Sequence, residues 1–99
     1  MGFNLTQIAK EQLIDCYVYG FENFGETQAE QYQQDMMACF GLLSKNPRLA
    51  HVRKGYNRPL RIHHHVKHYI VYLLVEETED ILIVAVLRDS MDLVRHFDE

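Results

Sequence analysis

The residues of this 99-residue chain best suited to chemistry are basic side chains and histidines in its middle and late parts. Arginine and lysine can stabilise the charge that develops on a phosphate during transfer, and histidine or tyrosine can move the protons. The candidates for such work are Arg53, Lys54, Arg61, His68 and Arg88. If the chain is an enzyme, they predict metal-free RNA cleavage, and the alternative is a basic sheet face that only binds.

Other reactive residue types do not assemble into a recognisable site. His63 and His65 would share one face of a strand while His64 points away, and no Cys, Asp or Glu lies near enough in sequence to complete a metal site. Cys16 and Cys39 fall on the apolar stripes of two predicted helices, where a buried small side chain accounts for each. No glycine-rich phosphate loop or Ser/His/Asp arrangement is present, so we expect no metal and no cofactor.

The charges are unevenly distributed along the chain, whose formal net charge is -4. Residues 36–75 hold seven Lys or Arg, five of the six His and no Asp or Glu, whereas both flanking segments are strongly acidic. Such a block indicates a surface for an anionic partner, either nucleic acid or an acidic protein segment. A solvated strand and loop with counter-charges on neighbouring helices is an equally good reading. The overall acidity argues against strong non-specific binding to nucleic acid.

Length and composition predict a single domain over residues 1–99. The chain is 47% hydrophobic and 24% charged, which is typical of a globular protein. Its longest apolar run, residues 69–75, is far too short to span a membrane, and the first residues do not resemble a secretory leader. Two cysteines cannot build a disulfide framework. We therefore expect a soluble cytoplasmic protein with no membrane partner.

The first half of the sequence predicts a short strand and two helices. Phe3–Leu5 alternates as a strand does, Thr6 can cap a helix, and apolar residues at helical spacing then run to Phe24. Gly25 is expected to end that helix. Residues 27–30 read as a capping box that starts a second helix ending near Leu43, before Asn46 and a proline. Two helices joined by so short a turn predict an antiparallel hairpin.

The second half predicts a small antiparallel sheet. Residues 48–58 read as a loop leading into a strand that includes Leu60 and Ile62, and residues 68–75 and 81–87 are almost continuously apolar. Strands of that kind are covered on both faces, with the helical hairpin expected on one face and another element on the other. Ser90 can cap a short last helix. The predicted fold class is α+β: an N-terminal strand, an antiparallel helical hairpin packed on the sheet, and a short C-terminal helix.

An ordered set of segments resembles the ParE toxins of the ParE/RelE superfamily, and it covers nearly the whole chain. The segments are Phe3-Asn4-Leu5-Thr6 with Ala9, Leu13 and Tyr19; Phe24-Gly25; Gln28-Ala29 with Tyr32; Leu42-Leu43 with Asn46-Pro47; Gly55-Tyr56; residues 68–72; Ile81 and Ile83; Val86-Leu87; and Met91-Asp92. The resemblance implies the same hairpin-on-sheet fold. It also implies the toxin of a bacterial, plasmid-stabilising toxin–antitoxin module, which poisons DNA gyrase without being a catalyst.

The resemblance leaves two alternatives open. RelE-like relatives cut mRNA on the ribosome, and for this chain that reading would use the five basic and histidine residues named above. A non-toxic relative that only binds its antitoxin is the other alternative. Where the family typically shows Arg-Val-Leu-His and Arg-Met-Asp, this chain reads Ala85-Val86-Leu87-Arg88 and Ser90-Met91-Asp92.

The expected partners are a cognate antitoxin and DNA gyrase, or the ribosome and mRNA in place of gyrase. Under the gyrase reading, the target would be bound by Arg61, Arg88, Met91 and Asp92. An acidic amphipathic antitoxin segment would fit a groove lined by Leu13, Tyr17, Tyr32 and Met36. A homodimer or a heterotetramer with the antitoxin is the expected assembly.

Overall fold

The chain folds as a helical hairpin packed on one face of a five-stranded mixed sheet. A computed structural model describes residues 2–53 and 59–90. The elements in order are β1 (Phe3–Leu5), α1 (Gln7–Phe24), α2 (Glu26–Lys45), β2 (Val52–Arg53), β3 (Leu60–His65), β4 (His68–Val75) and β5 (Asp80–Arg88). The predicted α+β architecture is confirmed. The short helix predicted to follow Ser90 lies outside the described residues.

The sheet has the strand order β1-β5-β4-β3-β2. β1 runs parallel to β5, and the remaining neighbours are antiparallel. The three-strand meander was predicted, whereas β2 was read as loop. β2 has only two residues, both exposed, and so it leaves no alternating pattern in the sequence.

The helix ends follow local chemistry at two of the predicted positions. The hydroxyl of Thr6 accepts a hydrogen bond from the Ala9 backbone N–H at 3.1 Å, which caps α1. Gly25 alone connects the two helices, with φ 92° and ψ 171°. The capping box predicted for residues 27–30 is wrong: α2 begins at Glu26, and its N-cap, Gly25, has no side chain to accept the bond. Because a single residue connects the helices, residue 27 already lies inside α2 and cannot cap it.

The main core lies between the hairpin and the sheet. Phe40, Met36 and Leu43 of α2 are fully buried there, together with Tyr72 of β4 and Ile83 of β5. A smaller cluster lies on the opposite face of the sheet, around Val71, Ala85 and Leu87. Within the described residues, only strand side chains form this second cluster. The element that was expected to cover this face is therefore not found in the described part of the chain. Neither described helix has the length and hydropathy needed to cross a membrane.

β5 changes phase near its middle. The pairing with β4 matches Tyr72 to Ile83 and Val71 to Ala85, so Val84 is an extra residue in β5. An extra residue of this kind is a β-bulge, and it reverses which side chains face the hairpin. Ile83 faces the main core before the bulge, and Val86 faces it afterwards. By the same alternation, Arg88 also lies on the helix side of the sheet.

Candidate functional site

A groove of about 530 Å³ opens between the hairpin and one end of the sheet. Its walls come from the second half of α1, the first half of α2, the turn between β3 and β4, and the end of β5. Four residues predicted from the sequence to be functional line it: Tyr17, Tyr32, His68 and Arg88. Grooves of this size hold small ligands or a few residues of a partner.

Two basic side chains lie over aromatic rings in this groove. The Arg88 guanidinium carbon is 3.8 Å from the centroid of the Tyr19 ring, and the Lys67 ammonium nitrogen is 5.7 Å from that of Phe24. The two rings contact each other edge to face, with centroids 6.3 Å apart. We refer to Arg88, Tyr19, Lys67 and Phe24 as the cation–aromatic cluster. Cation–π contacts of this kind attract each cation to its ring while its hydrogen-bond donors stay available.

The backbone explains why the two cations are neighbours. His68 and Arg88 are directly paired across β4 and β5, and the Asp89 N–H donates a 2.9 Å hydrogen bond to the Lys67 carbonyl oxygen. Without the bulge at Val84, Arg88 would lie on the face away from α1. The bulge therefore positions the arginine over Tyr19.

Tyr32 and His68 form the polar floor of the groove. The Tyr32 hydroxyl lies 2.6 Å from Nδ1 of His68 and 3.4 Å from the His65 carbonyl oxygen. Burial raises the pKa of Tyr32 to about 12, so the hydroxyl stays protonated at neutral pH. Burial, and secondly the neighbouring charge of Arg88, lower the pKa of His68. A neutral histidine is therefore bonded to a neutral tyrosine, and Nε2 of His65 is buried nearby without a partner among the described residues.

The cysteines stay in their thiol form. Burial raises the pKa of Cys16, which lines the groove, although the charge of Arg88 acts against that effect. Burial likewise raises the pKa of Cys39, in the core. Since the thiolate is the reactive form, neither residue is prepared to act as a nucleophile.

The structure brings together only part of the predicted nuclease set. His68 and Arg88 are adjacent, whereas Arg61 lies four residues along β3 from His65, about 13 Å away at the strand's rise per residue. The Arg61 guanidinium donates a 2.7 Å hydrogen bond to the Ala50 carbonyl oxygen, which holds the segment after α2. Arg53 is exposed on the edge strand β2, and Lys54 lies outside the described residues.

The predicted binding residues are also divided. Met36 is fully buried and Leu13 is 8% exposed, so both belong to the core and not to the lining of a groove. Tyr17 and Tyr32 do line it. Of the residues predicted to bind the target, Arg88 is exposed and Arg61 is half-buried, while Met91 and Asp92 lie outside the described residues.

The histidine run is split between the two faces of β3. His63 and His65 are on the helix side, whereas His64 stacks on Tyr69 across the sheet and contacts Asp89 at 3.1 Å. In the part of the chain that the structure describes, no three metal-ligating side chains converge.

Sequence reasoning missed three members of the cation–aromatic cluster. Lys67 was visible only as one charge in a basic block, and Tyr19 and Phe24 were named only for the family resemblance and, for Phe24, as a helix position. The available signal was Tyr19, an aromatic residue of α1 outside the predicted apolar stripe. In the structure Tyr19 and Phe24 are 44% and 55% exposed. The two rings contact each other, and a contiguous patch of exposed apolar side chains is typical of an interaction surface.

Comparison with known proteins identifies the class. The family model described as ParE toxin of type II toxin–antitoxin system, parDE, matches residues 3–93, and the chain belongs to this family. A solved structure from the chromosomal ParDE TA system from P. aeruginosa is similar, with a TM-score of 0.68 and 17% identity over 89% of this chain and 95% of that chain. At that identity the likeness concerns the fold. No curated protein sequence matches significantly.

Proposed function

We propose that this chain is a gyrase-inhibiting toxin and that a cognate antitoxin protein neutralises it in the cytoplasm. The observation that carries the proposal is the match to the ParE toxin family over residues 3–93. The target would be bound by Arg61, Arg88, Met91 and Asp92, with Arg88 exposed at the mouth of the groove. The chain would act as a poison and not as a catalyst, because three of the arginines suited to phosphate chemistry, Arg53, Arg61 and Arg88, lie on three different strands.

One observation favours a second candidate, a ribosome-dependent endoribonuclease. His68, which is bonded to Tyr32, lies beside Arg88, so a proton-transferring group and a phosphate-binding cation are adjacent. The lowered pKa of His68 would suit it to accept a proton at neutral pH. Arg53 and Arg61 would then have to bind RNA away from that pair, and Lys54 would complete the set from outside the described residues.

Two assays run in parallel distinguish these functions. Purified chain is added to gyrase supercoiling and DNA-cleavage reactions, and also to ribosomes programmed with mRNA. We expect trapped cleaved DNA and intact mRNA. Arg88→Gln should weaken the gyrase effect at least about tenfold, as the loss of a charged contact does, whereas Arg48→Gln, an exposed arginine after α2, should not. Codon-positioned mRNA cuts would establish the nuclease. If neither reaction responds, the chain is a non-toxic antitoxin binder.

A further inference from the structure

We propose that the cation–aromatic cluster is the site at which the antitoxin places an acidic side chain, so that neutralisation covers Arg88 itself. This inference rests on the proposed function, because it takes the antitoxin as the partner. It assigns to Arg88, Lys67, Tyr19 and Phe24 one shared ligand, a carboxylate flanked by apolar residues. Arg88 would thus serve two contacts that exclude each other, one with the target and one with the antitoxin.

The first argument is that, among the residues the structure describes, no acidic side chain pairs with either cation. Neither Arg88 nor Lys67 has a carboxylate oxygen within salt-bridge distance in residues 2–53 and 59–90. The two acids that line the same groove are engaged elsewhere. Asp89 contacts His64 at 3.1 Å, and Asp35 accepts a 3.0 Å hydrogen bond from the Gln31 side chain. As far as residues 2–53 and 59–90 are concerned, the groove therefore presents two cations without a carboxylate partner.

The second argument is that the cations are held in place before any partner arrives. Arg88 is stacked on Tyr19 at 3.8 Å, and the contact between Tyr19 and Phe24 fixes the ring beneath Lys67. A stacked guanidinium keeps its fork of N–H donors free for a carboxylate in the plane of the group. Ordering these side chains in advance reduces the entropy lost on binding.

The third argument decides between an acidic peptide and a nucleic acid. Both would be attracted to two cations over aromatic rings. The hairpin that forms the walls, however, is acidic: residues 1–35 carry one Lys against six Asp or Glu, and Glu22, Glu26 and Glu30 are exposed there. A chain of phosphates would run against these charges, whereas one or two carboxylates on an apolar segment need only the cluster. The groove therefore favours a peptide.

The walls also suit an extended peptide backbone. Gln28 and Gln33 of α2 line the groove, and their amides can both donate and accept hydrogen bonds. Tyr17 of α1, which also lines the groove, offers a large apolar ring. An apolar residue next to the carboxylate would pack on this side of the groove, which combines a charged anchor with burial of surface.

The test is a charge-swap binding experiment on the full chain. The probe is the antitoxin protein encoded beside this chain's gene, and its affinity for the wild-type chain is measured by titration calorimetry. We expect Arg88→Glu to weaken binding by about a hundredfold and Lys67→Glu by about tenfold, as the loss of charged anchors does. Arg48→Glu, at an exposed site outside the groove, is the matched control and should change affinity less than about threefold. Far-UV circular dichroism and thermal unfolding confirm that each variant is folded.

Reversal of single acids in the antitoxin completes the test. One Asp→Arg or Glu→Arg change should weaken binding to the wild-type chain and restore affinity for Arg88→Glu to within about threefold. The inference is overturned if the antitoxin binds Arg88→Glu as tightly as it binds the wild type, or if no acid reversal rescues that variant. If the antitoxin does not bind the wild-type chain at all, the proposed neutralisation has failed together with this site. Loss of gyrase inhibition alone leaves the inference standing.

Discussion

The hydroxyl of Tyr32 lies 2.6 Å from Nδ1 of His68, and this contact joins α2 to β4 at the floor of the groove. This short polar contact lies at the end of the sheet where Arg88 and Lys67 are exposed. Because both groups are partly buried and neutral, the bond replaces lost contacts with water.

Removal of the Tyr32 hydroxyl should therefore loosen this end of the molecule. Tyr32→Phe is expected to lower the free energy of unfolding by about 1 kcal/mol, since it leaves His68 without its partner. Tyr17→Phe is the control, because the Tyr17 ring lines the same groove and its hydroxyl makes no hydrogen bond within the described residues. Urea denaturation measures both. Equal effects of the two substitutions would show that the contact adds no stability.

The stability of the protein should fall on mild acidification because of His68. Its folded-state pKa is lowered by burial and by Arg88, while Asp89 acts in the opposite direction. The unfolded chain therefore binds a proton first. The contribution of His68 is complete above about pH 6.5 and is lost as the pH falls through the folded-state pKa.

Urea midpoints at about pH 7.5 and about pH 5 test this expectation. His63, whose pKa burial also lowers, contributes in the same direction. His68→Gln should therefore show a smaller loss between the two pH values than the wild type. An unchanged difference in that variant would assign the acid sensitivity to other groups.

The link between the helices should tolerate no side chain. Gly25 has φ 92° and ψ 171°, a region that is almost exclusive to glycine, so Gly25→Ala is expected to cost about 1–3 kcal/mol. Gly41, inside α2, is the contrasting position, because a Cβ there would meet no atom within 4 Å. Gly41→Ala should raise stability by about 0.5–1 kcal/mol through helix propensity. Thermal unfolding of the two variants gives the comparison. A Gly25→Ala variant that is more stable than the wild type would contradict the expectation that these backbone angles require glycine.

The side chain of Gln12 should contribute more to the free energy of unfolding than a polar residue on a helix surface usually does. Its side-chain oxygen accepts a 2.8 Å hydrogen bond from the Val86 N–H, just beyond the part of β5 that β1 covers. Gln12→Leu would leave that N–H without an acceptor, at an expected cost of about 1–3 kcal/mol. Gln34→Leu, on the exposed side of α2, should change stability by less than about 0.5 kcal/mol. Amide hydrogen exchange at Val86 should also rise in the first variant alone.

The sequence was sufficient to predict the helices and most of the sheet because period and capping chemistry are local. Thr6, Gly25 and Asn46 each mark a helix end that the structure has. The bulge at Val84 could not be predicted, because one extra residue in a strand that is apolar on both faces interrupts no alternation. Residues 27–30 have the spacing of a capping box, but they lie inside α2, which begins at Glu26. The prediction of a helix start at residue 27 was therefore wrong.

The candidate site was harder to predict for a related reason. Arg88 was visible as a charge, but its position depends on a bulge that turns it toward α1 and on Tyr19, which is distant in sequence. Leu13 and Met36 were predicted to bind a partner because apolar stripes on a hairpin look alike from the sequence. Only the packing shows which stripe faces the sheet. Leu13 and Met36 belong to that stripe and are buried in the main core.

The parallel pairing of β1 with β5 has a consequence for how the protein is made. The hairpin is built from local contacts and can fold early, whereas Thr6 reaches Val84 across 78 positions of sequence. During translation, the first strand therefore waits without a neighbour until the last described strand has emerged. Arg88 belongs to that same strand. A nascent or prematurely terminated chain would consequently hold a hairpin but no finished groove until β5 has emerged and paired with β1.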